Sequence, residues 1–191
     1  MAENEVEIKF AAADLKSFER KLKQAGFRQE TPRTHELNTL YDLPGGRLRK
    51  RGELLRLRQY GKQWVLTHKG KTTEGRHKKR EETETAVKDG AKMDAILRRL
   101  GYRPSFRYEK FRAEWSDGQG KVVLDETPIE NLGEIEGKPR WIDDTARKLG
   151  IDPENYITSS YAELFFAWKK RTRSSATEMT FRAVGGRAKR G

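Results

Sequence analysis

The sequence predicts an α+β fold in which a sheet closes into a barrel, a tunnel with a charged interior, flanked by helices. Three features of the 191-residue chain carry this expectation. At least six segments alternate with a period of two, which gathers acids and bases on one face of each strand. Four other segments repeat apolar residues at helical spacing and need an apolar surface to cover. Hydrophobic residues make up 34% of the chain against 37% charged, so the charges must be solvated outside or line a wet interior.

The strands follow in order. Val6, Ile8 and Phe10 alternate with Glu5, Glu7 and Lys9, and Leu55 and Leu57 with Arg56 and Arg58. Trp64 and Leu66 lead to Thr67, His68 and Lys69; Arg80, Glu82 and Glu84 alternate with Glu81, Thr83 and Thr85. Phe111, Ala113 and Trp115 interleave with Lys110, Arg112 and Glu114; Val122 and Leu124 with Val123 and Asp125; Ile135 stands between Glu134 and Glu136. Pro44-Gly45-Gly46, Tyr60-Gly61-Lys62 and Asp117-Gly118-Gln119-Gly120 have hairpin chemistry.

The helices are bounded by caps. Asp14 opens one with Leu15, Phe18, Leu22 and Ala25 on one face, stopped by Gly26. A second runs from about Asp89 to Gly101, and a third from about Arg140 to Gly150. Ser160 stands three residues before Glu163, the capping-box spacing, and opens a fourth. The unit from Glu5 to Gly26-Phe27-Arg28 also matches that from Glu82 to Gly101-Tyr102-Arg103, which suggests a duplicated strand and helix in one pseudo-symmetric domain.

Any one alternating strand could sit with its charges in water. The set is harder to place that way, because the helices also need apolar surface. Closure satisfies both demands and removes the free edges. A charged interior is costly unless its charges pair or bind ions. Segregated bases and acids would hold a polyanion at one side and a hard metal at the other.

The remaining composition narrows the classes. The net charge is +12, but Lys169 to Gly191 holds eight bases and the single acid Glu178, which reads as a basic, flexible tail (169–191) after a domain spanning 1–168. There is no cysteine, hence no disulfide and no thiolate chemistry. No run of about 18 apolar residues is present, so no membrane partner is expected. The start MAENEVEIKF has neither a basic n-region nor an apolar h-region, and a cytoplasmic protein is expected.

Carboxylates at i and i+2 on a strand project in parallel and can share a divalent cation; hard oxygen ligands favour Mg2+ or Mn2+. Glu5, Glu7, Asp125, Glu134 and Glu136 are the ligand candidates. Arg56 and Arg58 can fork phosphate oxygens, with Lys69 and Lys110 as point charges. That inventory suits phosphoryl transfer.

These residues resemble the CYTH superfamily, the triphosphate tunnel metalloenzymes. Glu5-x-Glu7-x-Lys9 is its signature, and later landmarks agree in order: Leu55-Arg56-Leu57-Arg58, Thr67-His68-Lys69-Gly70, Arg80-Glu81-Glu82-Thr83-Glu84, Lys110-Phe111-Arg112, Val123-Leu124-Asp125, Leu132-Gly133-Glu134-Ile135-Glu136-Gly137 and Ser160-Tyr161-Ala162-Glu163-Leu164. The resemblance implies an eight-stranded antiparallel tunnel holding a triphosphate with Mg2+ or Mn2+. It implies Glu5, Glu7, Asp125, Glu134 and Glu136 as metal ligands. Lys9, Arg56, Arg58, Lys69, Arg80, Lys110 and Arg112 would bind triphosphate, with Glu82 also in the lining. The layout is most similar to class IV adenylate cyclases, which convert ATP to cyclic AMP and pyrophosphate. In that branch one or two residues usually separate Leu-Gly from the last Glu-Ile-Glu; here Glu134 follows Gly133 directly, which leaves Glu134 and Glu136 as alternatives for the metal contact.

Three readings follow: a cyclase, a hydrolase of tripolyphosphate, thiamine triphosphate or a nucleoside triphosphate, and a non-catalytic binder of polyanions. Lys69 or Lys110 could activate the nucleophile, or serve only as a phosphate clamp. The binder reading leaves the paired carboxylates unexplained, so nucleic acid is expected only in weak contacts of the tail. A homodimer is left open. Tyr60, Trp64 and Tyr108 read as packing rather than base-stacking, and Tyr41 resembles a tunnel strand motif with packing as its alternative. His35, His68 and His77 are not spaced as a metal site, and Gly70 to Lys79 reads as a loop that either covers the tunnel mouth or is simply solvated.

Overall fold

The structure, a computed structural model, describes residues 3–73 and 75–185. Its elements run β1 (Glu3–Ala11), α1 (Leu15–Gln24), β2 (Arg28–Asp42), α2 (Arg47–Lys50), β3 (Leu54–Tyr60), β4 (Gln63–Lys69), β5 (Lys78–Val87), α3 (Gly90–Arg99), β6 (Arg103–Ser116), β7 (Lys121–Glu126), β8 (Asn131–Glu136), α4 (Pro139–Leu149), α5 (Tyr161–Thr172) and α6 (Phe181–Val184).

The strands close into an eight-stranded antiparallel barrel in the order β1-β5-β4-β3-β2-β6-β7-β8. Exchanging β1–β4 with β5–β8 reproduces the same circular order, so the two halves are related as the repeated strand and helix suggest. Each half is a strand, a helix and three further strands, with the short α2 added between β2 and β3 of the first.

Alternation sorts the faces as expected. On β1, Ile8 and Phe10 point outward into a core with Leu22 of α1 and Ile142, Ala146 and Leu149 of α4. Leu57 and Leu97 form the buried contact beneath α3, with Leu55, Trp64, Leu66 and Met93 around them. Phe106, Tyr108 and Leu132 receive Tyr161 and Phe165 of α5. Gly133 is required by close approach: a Cβ there would lie 2.0 Å from the Phe10 ring, its partner across the β1–β8 ladder. The helix ends follow the caps read from the sequence; Asp14 and Asp89 accept backbone N–H groups, and Ser160 and Glu163 form a reciprocal capping box.

Four features differ from the sequence reading. The whole of β2 is a strand, although only its end had a strand signature. Pro44-Gly45-Gly46 opens the short helix α2 rather than a tight hairpin, with Gly46 at φ +69°. The stretch read as a loop up to Lys79 ends earlier, because β5 begins at Lys78. The boundary expected at 168 falls inside α5, and the chain beyond it returns to the barrel. There Ala176 and Met179 are buried, and Met179 exchanges backbone hydrogen bonds with Arg107 and Glu109 on β6. The last part of the expected tail, 186–191, lies outside the described residues. Among the described residues no helix is long and apolar enough to cross a membrane.

Candidate active site

The inward faces of the strands enclose a cavity of about 480 Å³. Its wall contains Glu5, Glu7 and Lys9 from β1, Arg56 and Arg58 from β3, and Lys69 from β4. Lys78, Arg80, Glu82 and Glu84 come from β5, Lys110, Arg112 and Glu114 from β6, Lys121 from β7, and Glu134 and Glu136 from β8. Of the candidate metal and triphosphate residues read from the sequence, Asp125 alone is absent from the wall; it is fully buried against Lys110, Arg112 and Tyr161.

The charges are arranged by position around the barrel. Glu5, Glu7, Glu134 and Glu136 stand on the adjacent strands β1 and β8, whereas Arg56 and Arg58 stand on β3, three strands from β1 and four from β8 around the circuit. Glu7 accepts from Lys9 at 2.7 Å and Lys78 at 2.8 Å, and Lys69 donates to both oxygens of Glu5 at 2.7 and 2.6 Å. Arg112 forks Asp125 through Nε at 2.8 Å and Nη2 at 2.7 Å and also reaches Glu134; Lys110 donates to Asp125 at 2.9 Å. Burial opposes ionisation of Glu134, but Arg112, Lys9 and Lys110 hold its carboxyl well below the usual range.

The arginines of β3 are left more open. Arg56 donates to Thr67 at 3.3 Å and lies 3.6 Å from Glu82, with Tyr108 and Glu36 also beside it, and Arg58 lies 3.6 Å from Glu84. The Nε atoms of both are buried without a hydrogen-bond partner, as are Glu36 Oε2 and Asn38 Oδ1 on the neighbouring β2. Arg80 is committed otherwise: it donates to the carbonyls of Gly70 at 2.7 Å and Gly52 at 2.9 Å, tying β5 to the loops at one mouth.

The acidic side tests the fit of a metal. Glu7 and Glu136 are direct partners across the ladder, with Glu5 and Glu134 as close charge neighbours. Burial and the charges of Glu5, Glu134 and Glu7 push the Glu136 carboxyl up to about 7, the mark of surplus negative charge. Among the described residues no three such groups already form a coordination shell. The all-oxygen donor set and its uncompensated charge nevertheless fit a hard divalent cation.

Several site residues escaped the sequence reading. Glu36, fully buried on β2, lies 3.6 Å from Lys110. Lys78 precedes Arg80 by two and was legible from that period. Tyr161, at the first turn of α5, lines the cavity and donates to Asp125 and, at 2.9 Å, to Glu134. Tyr108 also lines the cavity, whereas Trp64 packs against Gly90 of α3. Tyr41 is buried and its hydroxyl donates to Asp94 of α3. The histidines stand apart, each against its own acid: His35 on Glu109, His68 on Glu53, His77 on Asp143.

Comparison with known proteins agrees with this architecture. A Methanocaldococcus jannaschii protein provisionally named an adenylate cyclase is 29% identical over 171 residues, 84% of this chain and 97% of that one. A solved structure from Vibrio parahaemolyticus, also provisionally named an adenylate cyclase, superimposes with a TM-score of 0.77 at 19% identity, covering 87% of this chain and 99% of that one. A Hippeastrum protein described as an adenylyl cyclase candidate with a dominant triphosphatase activity superimposes at 0.64, with 18% identity over 87% and 96% of the two chains. The CYTH domain pattern matches residues 3–161. With its closed barrel and charged lumen, the chain belongs to the CYTH domain family.

Proposed function

We propose that the protein is a divalent-metal-dependent enzyme that holds a triphosphate inside the barrel and converts ATP to cyclic AMP and pyrophosphate, as a class IV-type adenylate cyclase. The observation that carries this reading is the division of the lumen. Two arginines on β3 keep their Nε donors without partners, and a surplus of carboxylate charge lies across the lumen on β1 and β8. The wall holds nine bases and seven acids, and Glu36 and Asp125 add two acids paired with lining bases. A triphosphate adds negative charge to that balance, and a divalent cation bound with it would offset part of it.

Arg56 and Arg58 then grip phosphate oxygens with planar forks, and Lys9, Lys69 and Lys110 add point charges. Glu5, Glu7, Glu134 and Glu136 would hold Mg2+ or Mn2+, which would supply positive charge to the phosphate oxygens. In the cyclase reaction the 3′ hydroxyl gives up its proton to water as its oxygen bonds to the α-phosphorus, and the α–β bridging oxygen leaves with pyrophosphate. Lys69 and Lys110 already donate to Glu5 and Asp125, which favours a clamping role over proton abstraction. Leu40, Leu54, Tyr108 and Ala162 give the cavity an apolar portion suited to a nucleobase, which favours ATP over tripolyphosphate. On this reading the protein works in the cytoplasm on a small molecule.

A second reading, hydrolysis of tripolyphosphate, thiamine triphosphate or a nucleoside triphosphate, is favoured by the triphosphatase activity of the Hippeastrum protein. The same lumen serves both, since they differ in which phosphorus meets the nucleophile. Incubation with ATP, thiamine triphosphate and tripolyphosphate under Mg2+ or Mn2+, followed by chromatography, decides. Cyclic AMP supports the cyclase, inorganic phosphate the hydrolase, and turnover of none rejects both.

A further inference from the structure

We infer that Tyr161 is a positioning residue serving both sides of the site, its ring carrying the lysines and its hydroxyl carrying the carboxylates. The inference rests on the triphosphate–metal reading above. The ring lies beneath two ammonium groups, Lys110 Nζ at 4.2 Å and Lys9 Nζ at 5.5 Å from its centroid. Both lysines are almost wholly buried, where attraction between a cation and a π face is strongest. The hydroxyl donates to Asp125, the counter-ion of Lys110 and Arg112, and to Glu134, the carboxylate beside Lys9.

A phenol has one hydrogen, so it serves these two acceptors in turn and couples them. Tyr161 is itself held from two directions. Its ring stacks on Tyr108 at 5.4 Å with 16° between the planes, and the Ser160–Glu163 capping box fixes the first turn of α5. No other residue touches both the lysines and the carboxylates through separate parts of one side chain among the contacts described.

Two substitutions separate the two roles. Tyr161→Phe keeps the ring and removes the hydroxyl; Tyr161→Leu removes both. Mn2+ binding is followed by electron paramagnetic resonance without substrate, and tripolyphosphate binding by calorimetry without metal. Tyr161→Phe should weaken Mn2+ about tenfold, as loss of a ligand's hydrogen-bond partner does, and leave tripolyphosphate affinity unchanged. Tyr161→Leu should weaken Mn2+ as much and also weaken tripolyphosphate about tenfold. If Leu does not fold, Tyr161→Met offers an unbranched, more adaptable side chain that also lacks a π face. The inference is overturned if wild-type protein binds both ligands and Phe matches it for Mn2+, or if Phe and Leu weaken tripolyphosphate equally. Wild-type protein that binds neither ligand overturns the triphosphate–metal reading and this inference together.

Discussion

Glu7 and Glu136 face each other as direct partners across the β1–β8 ladder, two carboxylates in one wall of the lumen. Like charges opposed on adjacent strands destabilise a sheet, and the two are treated differently. Burial opposes ionisation of Glu7, but Lys9 and Lys78 hold its carboxyl well below the usual range. Glu136 accepts no hydrogen bond from a described lysine or arginine, and its carboxyl sits at about 7.

That difference predicts a pH dependence. An ordinary glutamate in the unfolded chain releases its proton near 4.5, whereas folded Glu136 keeps it until about 7. Between those values the folded state binds more protons, so stability falls as pH rises and levels off above 7. The shift corresponds to at most about 3 kcal/mol. Urea unfolding at pH 5 and pH 8 should show wild-type protein losing more stability than Glu136→Gln, with Mg2+ narrowing the gap at pH 8. Equal losses in the two proteins would reject the assignment.

The same pair should separate in mutagenesis. Glu7→Ala leaves the buried ammonium groups of Lys9 and Lys78 without their acceptor and should cost about 3–5 kcal/mol. Glu136→Ala should cost nothing or stabilise at pH 8, while still abolishing metal-dependent turnover. Thermal melts beside a turnover assay check both. A Glu136→Ala protein that is fully active under Mg2+ removes Glu136 from the ligand set.

Much of this site was legible because period-two alternation survives closure. Glu5, Glu7 and Lys9, then Arg56 and Arg58, share one lumen once their apolar neighbours turn outward. What was missed has physical causes. Pro32 lacks a ladder donor, and the β2–β6 register shifts on both sides of Thr31, so the segment holding Glu36 had no clean strand pattern. Tyr161 has the spacing of an ordinary apolar helix residue; only the tertiary position of α5 turns its hydroxyl toward Asp125 and Glu134. The chain after Thr172 has the composition of a mobile extension, yet Met179 is wholly buried.

That last contact gives a prediction of its own. Met179 packs with Phe106, Tyr108 and Phe165, and Phe181 donates its backbone N–H to Glu109 at 2.7 Å. Met179→Ala should therefore cost about 2–5 kcal/mol, as a large-to-small change in a core does. Ending the chain at Arg173 should lower the melting temperature at least as much. A truncated protein that melts with the full chain would mean the segment does not dock.

The two kinds of arginine in the lumen should part most clearly. Arg56 is held more loosely than Arg112, beside Tyr108, Glu36 and Glu82 but with one long hydrogen bond, one long ion pair and an unpartnered Nε, so part of its fork remains available to a ligand. Arg112 is the counter-ion of a fully buried Asp125 and of Glu134, and removing it strands two buried carboxylates. Arg56→Ala should thus cost less stability than Arg112→Ala while weakening tripolyphosphate at least about tenfold, the loss of one or two charge-assisted hydrogen bonds. Arg112→Ala should lose about 3–5 kcal/mol of stability before any ligand is added. Calorimetric titration and urea unfolding of both variants check this. If Arg56→Ala binds tripolyphosphate as wild type does, the open face of β3 is not the phosphate side, and the division of the lumen that supports the proposed function fails with it.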